Sequence, residues 1–408
     1  MKYSVFAQAD NGELTGIAYK EYEYKRKMIG HFSAQMECTI PEMADLLNIS
    51  IPKTTELTMN LVEEGLVRDF GQKTEGVGRR ATIYGLSPDG CYFLGVEIKR
   101  YKINIGLMAF NKTIVEEATD IFFPFLDPQE SLDAIINEIN TFINNSKIGK
   151  DRIIGMGLSI AGRINVKKGQ ILTIYHFKDA PVKNILETAI GLPVYIDNDS
   201  RTIAYGEYFF GKKIISNNAI VINLDYGIGS GIFINGKAVY GASGYAGEIG
   251  HIPMFTNERI CVCGKKGCLQ TECSGIYLIE FIIERMQNGS NSVLKEKLAA
   301  KGFLELEDII EAVKNGDNLA IEGLNEIGYN LGKGLAFAIN MFNPDTIVLS
   351  GILSAIGNPF LLPVQSAVFQ YSLSLVSSDT QIMVSDIPGR AGLLGACLLV
   401  RDKMLSLV

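Results

Sequence analysis

The stretch that begins at His251 carries one histidine and three cysteines in the spacing His-x9-Cys-x-Cys-x4-Cys. The cysteines are Cys261, Cys263 and Cys268. Two glycines in the last interval favour a tight turn that returns the chain toward the first thiols. Three thiolates and an imidazole can fill the tetrahedral shell of zinc, which leaves no open position for a catalytic water. We therefore predict one structural zinc per chain; a loop of free cysteines is the simpler alternative.

The remaining composition is that of an ordinary globular chain. It has 408 residues, of which 20% are charged, and a net charge of −7. No apolar run reaches the ~18 residues that a membrane helix needs, and the N-terminus lacks the apolar core of a signal peptide. We expect a cytoplasmic protein with reduced thiols, in which the isolated Cys38, Cys91 and Cys397 serve as small buried hydrophobic residues.

Residues 39–65 carry the signals of two short helices. Thr39 and Glu42 form a T-x-x-E capping box, and Ser50 can cap a second helix after a short turn. An apolar stripe follows at 57, 61 and 62, and Gly65 ends the second helix. Two β-rich runs, LVRDF and ATIYGL, then enclose a loop with glycine and arginine. This order predicts a winged helix-turn-helix.

A helix-turn-helix reads DNA bases mainly from the start of its second helix. The predicted base contacts are Lys53, Thr54 and Thr55. The predicted contacts to phosphates or the minor groove are Lys73, Arg79 and Arg80. Residues 1–90 contain 10 basic and 13 acidic residues, however, so a small helical domain for protein interactions is the alternative.

From Cys91 onward, strand-like runs alternate with helical ones. YFLGVEI, KINIGLMAF and RIIGMGLSI read as strands, and ESLDAIINEINTFINN reads as an amphipathic helix. Later segments add a glycine-rich turn between two strands, a mostly helical region, a further strand in NPDTIVLSG and a closing helix. Such mixing over more than 300 residues predicts a two-lobed α/β protein.

The ordered motifs resemble the ROK family, which contains bacterial sugar-responsive repressors and sugar kinases. Besides the helix-turn-helix, the motifs are GLSIAGRIN (157–165), IGLPVYIDNDSRTIAYGE (190–207), DYGIGSGI (225–232), GASGYAGEIGH (241–251) and CVCGKKGCLQ (261–270). The last three together are highly specific.

The resemblance implies an N-terminal winged helix-turn-helix followed by the two-lobed, actin-like (ribonuclease H-like) fold of sugar kinases and Hsp70. We assign residues 1–88 to the DNA-binding domain, 89–200 with 388–408 to the first lobe, and 201–387 to the second lobe. The resemblance also implies zinc on the histidine and three cysteines. By the same resemblance, the expected sugar contacts are Asn198, Asp199, Glu248, His251 and Gln270.

One segment of the sequence distinguishes the hypothesis of a regulator from that of an active kinase. The first phosphate loop of the kinases, Asp-x-Gly-Gly-Thr, corresponds to Glu97–Tyr101, where both glycines and the threonine are missing. Bulky side chains there should hinder the approach of backbone to phosphate, so we expect no use of ATP. We predict a repressor that binds operator DNA as a homodimer or homotetramer and senses a sugar or sugar phosphate. Two alternatives are a sugar kinase with Asp199 as its base and a regulator controlled by a partner protein.

Two residues depart from the family pattern and bear on the effector. Gln270 stands where members usually carry glutamate, and Arg163 lies in the IAGRIN turn. Glutamine both donates and accepts hydrogen bonds, and the change removes one negative charge. We therefore hypothesise an amino sugar derivative, an acidic sugar or a sugar phosphate; in the alternative, Gln270 faces solvent or replaces a neutral contact.

Overall fold

The computed structural model describes residues 3–6, 16–35, 37–72, 81–124, 127–166, 168–173, 181–214 and 216–405. The chain forms two compact units. Unit 1 comprises Met1–Ile160, Lys168–Ile196 and Ala396–Val408, and unit 2 comprises Ala161–Lys167 and Asp197–Gly395.

Unit 1 begins with three helices and a small antiparallel sheet. Its elements are α1 (Gly16–Gln35), β1 (Glu37–Thr39), α2 (Ile40–Leu47), α3 (Ile51–Glu63), β2 (Val67–Gln72) and β3 (Thr82–Leu86). The strand order is β1-β3-β2. Helices α2 and α3 are joined by three residues, and β2 pairs with β3, as the sequence predicted.

The helix caps explain why the two helices begin where they do. The backbone N–H of Thr39 donates to the Glu42 carboxylate over 2.8 Å, and the N–H of Glu42 donates to the Thr39 hydroxyl over 3.4 Å. The Ser50 hydroxyl accepts from the N–H of Lys53 over 3.4 Å. Asn48 closes α2 in the left-handed region with a φ of 53°. Both predicted caps are confirmed.

The α/β part of unit 1 is built on a five-stranded sheet with the order β10-β7-β4-β5-β6. The elements of this region are β4 (Tyr92–Ile98), β5 (Lys102–Ala109), β6 (Ile114–Phe122), α4 (Pro128–Asn145), β7 (Ile153–Ile160), β8 (Ile164–Asn165, in unit 2), β9 (Gln170–Ile171), α5 (Val182–Ile190) and β10 (Val194–Asn198). Strand β4 is antiparallel to β5 and parallel to β7, so the sheet is mixed. Strands β4 and β7 are buried along their whole length.

Unit 2 carries a second five-stranded sheet with the order β13-β12-β11-β14-β15. Its elements are α6 (Asp199–Phe210), β11 (Ala219–Leu224), β12 (Ile228–Ile234), β13 (Lys237–Ala238), α7 (Gly275–Gln287), α8 (Leu294–Lys301), α9 (Leu306–Lys314), α10 (Asn318–Phe342), β14 (Thr346–Ser350), α11 (Asn358–Tyr371), α12 (Ser374–Ser377) and β15 (Gln381–Val384). The largest hydrophobic core packs β11 and β14 against the helices from α7 to α11. The predicted α/β class is confirmed.

The last helix, α13 (Ala391–Leu405), completes the core around the N-terminal helices. The Arg26 guanidinium of α1 donates to the carbonyl of Leu405 over 3.1 and 2.7 Å. Arg401 is buried and donates to Asp402 and to the hydroxyl of Ser33 in α1. The helix-turn-helix is therefore packed into unit 1 by the far end of the chain. No helix in the described ranges is both long and apolar enough to cross a membrane.

Candidate metal centre and neighbouring polar residues

The histidine and three cysteines of the sequence motif meet at one point in unit 2. The ligand atoms of His251, Cys261, Cys263 and Cys268 all lie within 4.8 Å of one another. The Sγ atoms of Cys263 and Cys268 are 3.7 Å apart, and Nδ1 of His251 lies 3.4 Å from Sγ of Cys261. Zinc–sulfur bonds of about 2.3 Å in a tetrahedron place neighbouring sulfurs about 3.8 Å apart. The four side chains can therefore hold a metal ion of zinc's size and geometry.

Short antiparallel contacts fold this loop. Isolated bridges pair Pro253 with Cys268 and Ile260 with Lys266, which brings the segment after His251 alongside the last cysteine. Gly267 accepts hydrogen bonds from two backbone N–H groups, and a Cβ on it would lie 1.9 Å from the carbonyl oxygen of Phe255. With a φ of 70° as well, this position requires glycine.

The protonation of the ligands has opposite effects on metal binding at His251 and at Cys268. Burial lowers the pKa of His251, although the nearby Glu248 opposes this, so the imidazole stays neutral and can donate a lone pair. Burial and hydrogen bonds from the other thiols raise the pKa of Cys268 to about 12, so that a bound metal would have to displace its proton. While Nδ1 of His251 faces Cys261, its Nε2 lies 3.7 Å from the Glu248 carboxylate and away from the thiols.

Gln270 also belongs to this cluster. Its Nε2 donates to Sγ of Cys261 over 3.1 Å, and a Cβ on Gly250 would lie 3.2 Å from its Oε1. The side chain is half-buried. This contact does not agree with the alternative that Gln270 faces solvent, and its proposed contact with the effector stays a prediction.

Asn198 and Asp199 stand at the start of α6. The Asn198 side chain caps the helix by accepting from the N–H of Ser200 over 3.1 Å, and its amide donates to Asp199 over 2.8 Å. The same amide donates to the carbonyl of Gly162 over 2.9 Å. The second oxygen of Asp199 accepts from Asn223 of β11 over 3.4 Å. The Asp199 carboxylate is thus held in place by amides on two sides.

A buried arginine of α6 forms an ion pair with the end of β10. Arg201 donates twice to Asp197, over 2.8 and 2.6 Å, and its guanidinium lies 5.0 Å from the ring centre of Tyr240. Burial would lower the pKa of Arg201, but Asp197, Tyr240 and Glu248 raise it. Sequence reasoning missed this group, because Asp197 lies on β10 and Arg201 on α6, so their contact depends on the geometry of the turn between strand and helix.

The predicted base contacts on α3 divide into two groups. Lys53 is half-buried and pairs with Glu21 of α1 and, over 3.0 Å, with Glu56. Thr55 is half-buried, and its hydroxyl donates to the carbonyl of Ile51 over 2.8 Å. Thr54 is fully buried in the helix-turn-helix core, so the predicted base contact does not agree with its position. Lys73, Arg79 and Arg80 lie outside the described residues.

The segment Glu97–Tyr101 forms the end of β4 and a tight hairpin turn into β5. The N–H of Lys99 donates to the carbonyl of Lys102 over 2.9 Å. Glu97 is buried, and its carboxylate accepts from the Asn104 amide over 2.7 Å. Arg100 packs 5.4 Å from the ring centre of Tyr101, at the outer end of the hairpin. No glycine lies in this turn.

Comparison with known proteins identifies the family. The ROK family model matches residues 93–403. The xylose repressor of Caldicellulosiruptor bescii is 28% identical over 90% of this chain and 92% of its own. The glucokinase of Halalkalibacterium halodurans is 33% identical over 62% of this chain and 78% of its own. A solved ROK transcriptional regulator, described as a homologue of E. coli MLC, is 25% identical, with a TM-score of 0.79 over 95% of this chain and 98% of its own. The chain belongs to the ROK family.

Proposed function

We propose that this protein is a DNA-binding transcriptional repressor of carbohydrate metabolism genes, controlled by a sugar or sugar derivative. The observation that carries the proposal is the capped helix-turn-helix ahead of the family domain. The family model begins at residue 93, whereas the similarity to the xylose repressor covers 90% of the chain and must extend into the N-terminal part. The matched length of the glucokinase is shorter, 62% of the chain.

In this proposal, residues 1–88 bind DNA, 89–200 with 388–408 form the first lobe, and 201–387 form the second. Lys53 and Thr55 contact bases, and Lys73, Arg79 and Arg80 contact phosphates or the minor groove. The protein acts in the cytoplasm as a homo-oligomer, because two copies are needed to occupy paired half-sites.

The sugar contacts proposed for unit 2 are Asn198, Asp199, Glu248, His251 and Gln270. Support comes from their chemistry: carboxylates, amides and an imidazole can pair with hydroxyls that both donate and accept. Zinc held by the four ligands would fix the direction of the His251 ring, whose Nε2 lies 3.7 Å from the Glu248 carboxylate. Arg163 adds a positive charge that acts on both His251 and Cys263, which favours an effector with an acidic or phosphate group.

The second candidate is an active sugar kinase, favoured by the fixed carboxylate of Asp199 and by the glucokinase relative. Against it stands the hairpin at Glu97–Tyr101. A phosphate loop needs close access to backbone N–H groups. Here a cross-hairpin hydrogen bond uses the N–H of Lys99, and the turn carries arginine and tyrosine where the kinases have glycine and threonine.

The test uses the full chain and a random duplex pool. Repeated selection should enrich a two-fold symmetric sequence, and one member of a panel of sugars and sugar phosphates should both raise the melting temperature and release the DNA. Changing Arg79 and Arg80 to Ala removes two phosphate contacts from each of the two bound copies, so the slope of log affinity against log salt should fall by about four. If no sequence is enriched and the protein phosphorylates a sugar with ATP, the proposal of a regulator is wrong and the kinase is the better interpretation.

A further inference from the structure

Helix α3 has one buried and one exposed face. The buried face packs into the helix-turn-helix core and consists of Thr54, Leu57, Thr58 and Leu61. Successive residues of an α-helix are about 100° apart. The opposite face therefore carries four residues at the spacing i, i+4, i+7, i+11, namely Pro52, Glu56, Met59 and Glu63. We call these four residues the outer stripe; Met59 is half-buried, and the other three are exposed.

The outer stripe lies between two residues already proposed to contact bases. Lys53 follows Pro52 in the chain and Thr55 precedes Glu56, so one of them lies on each side of the stripe. A helix-turn-helix contacts base edges from the N-terminal part of its second helix, and Pro52 and Glu56 belong to the first two turns of α3. Under the proposed function, this part of the outer stripe faces the major groove.

The Glu56 carboxylate is exposed but held in one direction. Its Oε2 accepts from the ammonium group of Lys53 over 3.0 Å, and its side chain is 55% exposed. Lys53 is itself held toward α1 by its ion pair with Glu21. Within the part of the chain that the structure describes, Oε1 of Glu56 accepts from no other residue. The ion pair therefore orients the carboxylate and leaves one oxygen available to a ligand.

A carboxylate at a DNA surface needs a hydrogen bond from a base, because phosphates repel it and because it can only accept. The major-groove donors are N4 of cytosine and N6 of adenine. Adenine presents the acceptor N7 beside its donor, and that acceptor repels a carboxylate, whereas cytosine presents N4 alone. We propose that Glu56 accepts a hydrogen bond from N4 of a cytosine and thereby specifies one C·G pair in each half-site. This inference rests on the proposed function.

Selection from a random duplex pool by the full-length parent and by two variants tests the contact. The parent should enrich a C·G pair at one position of each half-site. Glu56→Gln should replace it with A·T, since a glutamine amide pairs with both N6 and N7 of adenine. Glu56→Ala should lose the preference at that position and keep the preferences elsewhere. Identical base preferences in the parent and both variants would overturn the contact.

The affinities of Glu56→Ala for two duplexes give a second measurement. The variant should bind the selected duplex about ten-fold more weakly, because it loses a base contact. It should bind a random duplex more tightly, because a negative charge is removed from the neighbourhood of the phosphates. Glu63→Ala is the matched control, since Glu63 lies on the same stripe about 10 Å farther along the helix. It should leave the ratio of the two affinities unchanged.

A purely structural role of Glu56 predicts a different pattern. Glu56→Ala would then weaken binding to both duplexes and lower the melting temperature, and this result would overturn the proposal. The parent separates the inference from the proposed function. A parent that enriches no sequence contradicts both. A parent that enriches a sequence whose base preferences do not depend on Glu56 supports the regulator and contradicts the cytosine contact alone.

Discussion

The side-chain amide of Gln270 donates a hydrogen bond to Sγ of Cys261 across 3.1 Å. A thiolate bound to a metal keeps negative charge, and a donor directed at it supports the ligand. The residue at 270 therefore bears on the metal centre as well as on the proposed sugar site.

Replacing Gln270 with Glu removes the donor and places a carboxylate beside the thiolate. We expect zinc affinity to fall by about ten- to a hundred-fold, the usual cost of losing an outer partner of a ligand. Competition with a fluorescent chelator measures this. Gln270→Met, which is neutral but cannot donate, should show a smaller loss of zinc affinity. Gln287→Glu, a change at an exposed residue of α7, should show none. Equal zinc affinity in all four proteins would contradict the role of the hydrogen bond.

Cys263→Ser tests the metal itself. Elemental analysis of gently purified parent should find one zinc per chain, and the variant should lose it, because a serine hydroxyl is a poor zinc ligand at neutral pH. The sugar response should be lost while DNA binding persists, since the helix-turn-helix lies in unit 1. Cys273→Ser is the control: Cys273 is buried, outside the cluster, and donates to the carbonyl of Leu269. Zinc-free parent protein would refute the site.

The ion pair between Lys53 and Glu21 predicts opposite effects of two substitutions. Lys53→Gln should weaken operator binding, because it removes a cation from the start of α3. Glu21→Gln should strengthen it by about two- to fivefold, since it releases Lys53 from one of its two carboxylate partners. Fluorescence anisotropy at fixed salt measures both, with Glu23→Gln as the control for loss of a negative charge on α1. Weaker binding by Glu21→Gln would show that Lys53 does not contact DNA.

Thr54 and Thr55 are adjacent but differ in burial. Thr55→Val should reduce discrimination between the selected sequence and random duplex by about 1–3 kcal/mol, if Thr55 contacts a base edge. Thr54→Val should leave that ratio unchanged, because Thr54 is fully buried and its hydroxyl donates to the carbonyl of Ser50. The ratio of specific to non-specific dissociation constants is the measurement. The reverse pattern would mean that α3 presents another face to DNA.

We expect no ATP turnover with any sugar of the panel, because the hairpin at Glu97–Tyr101 lacks the open backbone of a phosphate loop. A coupled assay of ADP release measures this. Asp199→Asn serves as the diagnostic variant: turnover in the parent that disappears in Asp199→Asn would identify a kinase with Asp199 as its base. Turnover unchanged in the variant would indicate a contaminating enzyme.

Local signals explain what the sequence could predict. The capping residues Thr39 and Ser50 act within three residues of themselves, and the metal ligands lie within one short loop, so spacing alone was informative. Thr54 was placed wrongly because the apolar stripe of α3 was counted from Leu57. Extended back by three residues it includes Thr54, and burial of Thr54, Leu57 and Leu61 follows that i, i+3, i+7 pattern.

Tertiary packing explains what the sequence could not predict. Strand β6 was not predicted. Its residues alternate between half-buried and exposed, and it lacks the run of apolar residues that marks the buried strands. The close approach of α10 and α11 at Gly328 and Gly332 was not visible in the sequence. The contact of Gln270 with Cys261 likewise depends on a turn whose final geometry no spacing rule gives.

The hydrogen bonds from Arg26 to Leu405 have a consequence for protein engineering. Regulators with separable DNA-binding modules can be rewired by exchanging their N-terminal segments. In this chain, Arg26 donates to the carbonyl at the end of α13, and the Ser33 hydroxyl accepts from the buried Arg401. The contacts between α1 and α13 therefore depend on the residues of both helices. A chimaera that replaces residues 1–88 alone would leave a buried guanidinium without its hydroxyl partner. A functional chimaera must therefore include the end of α13 together with the new DNA-binding domain.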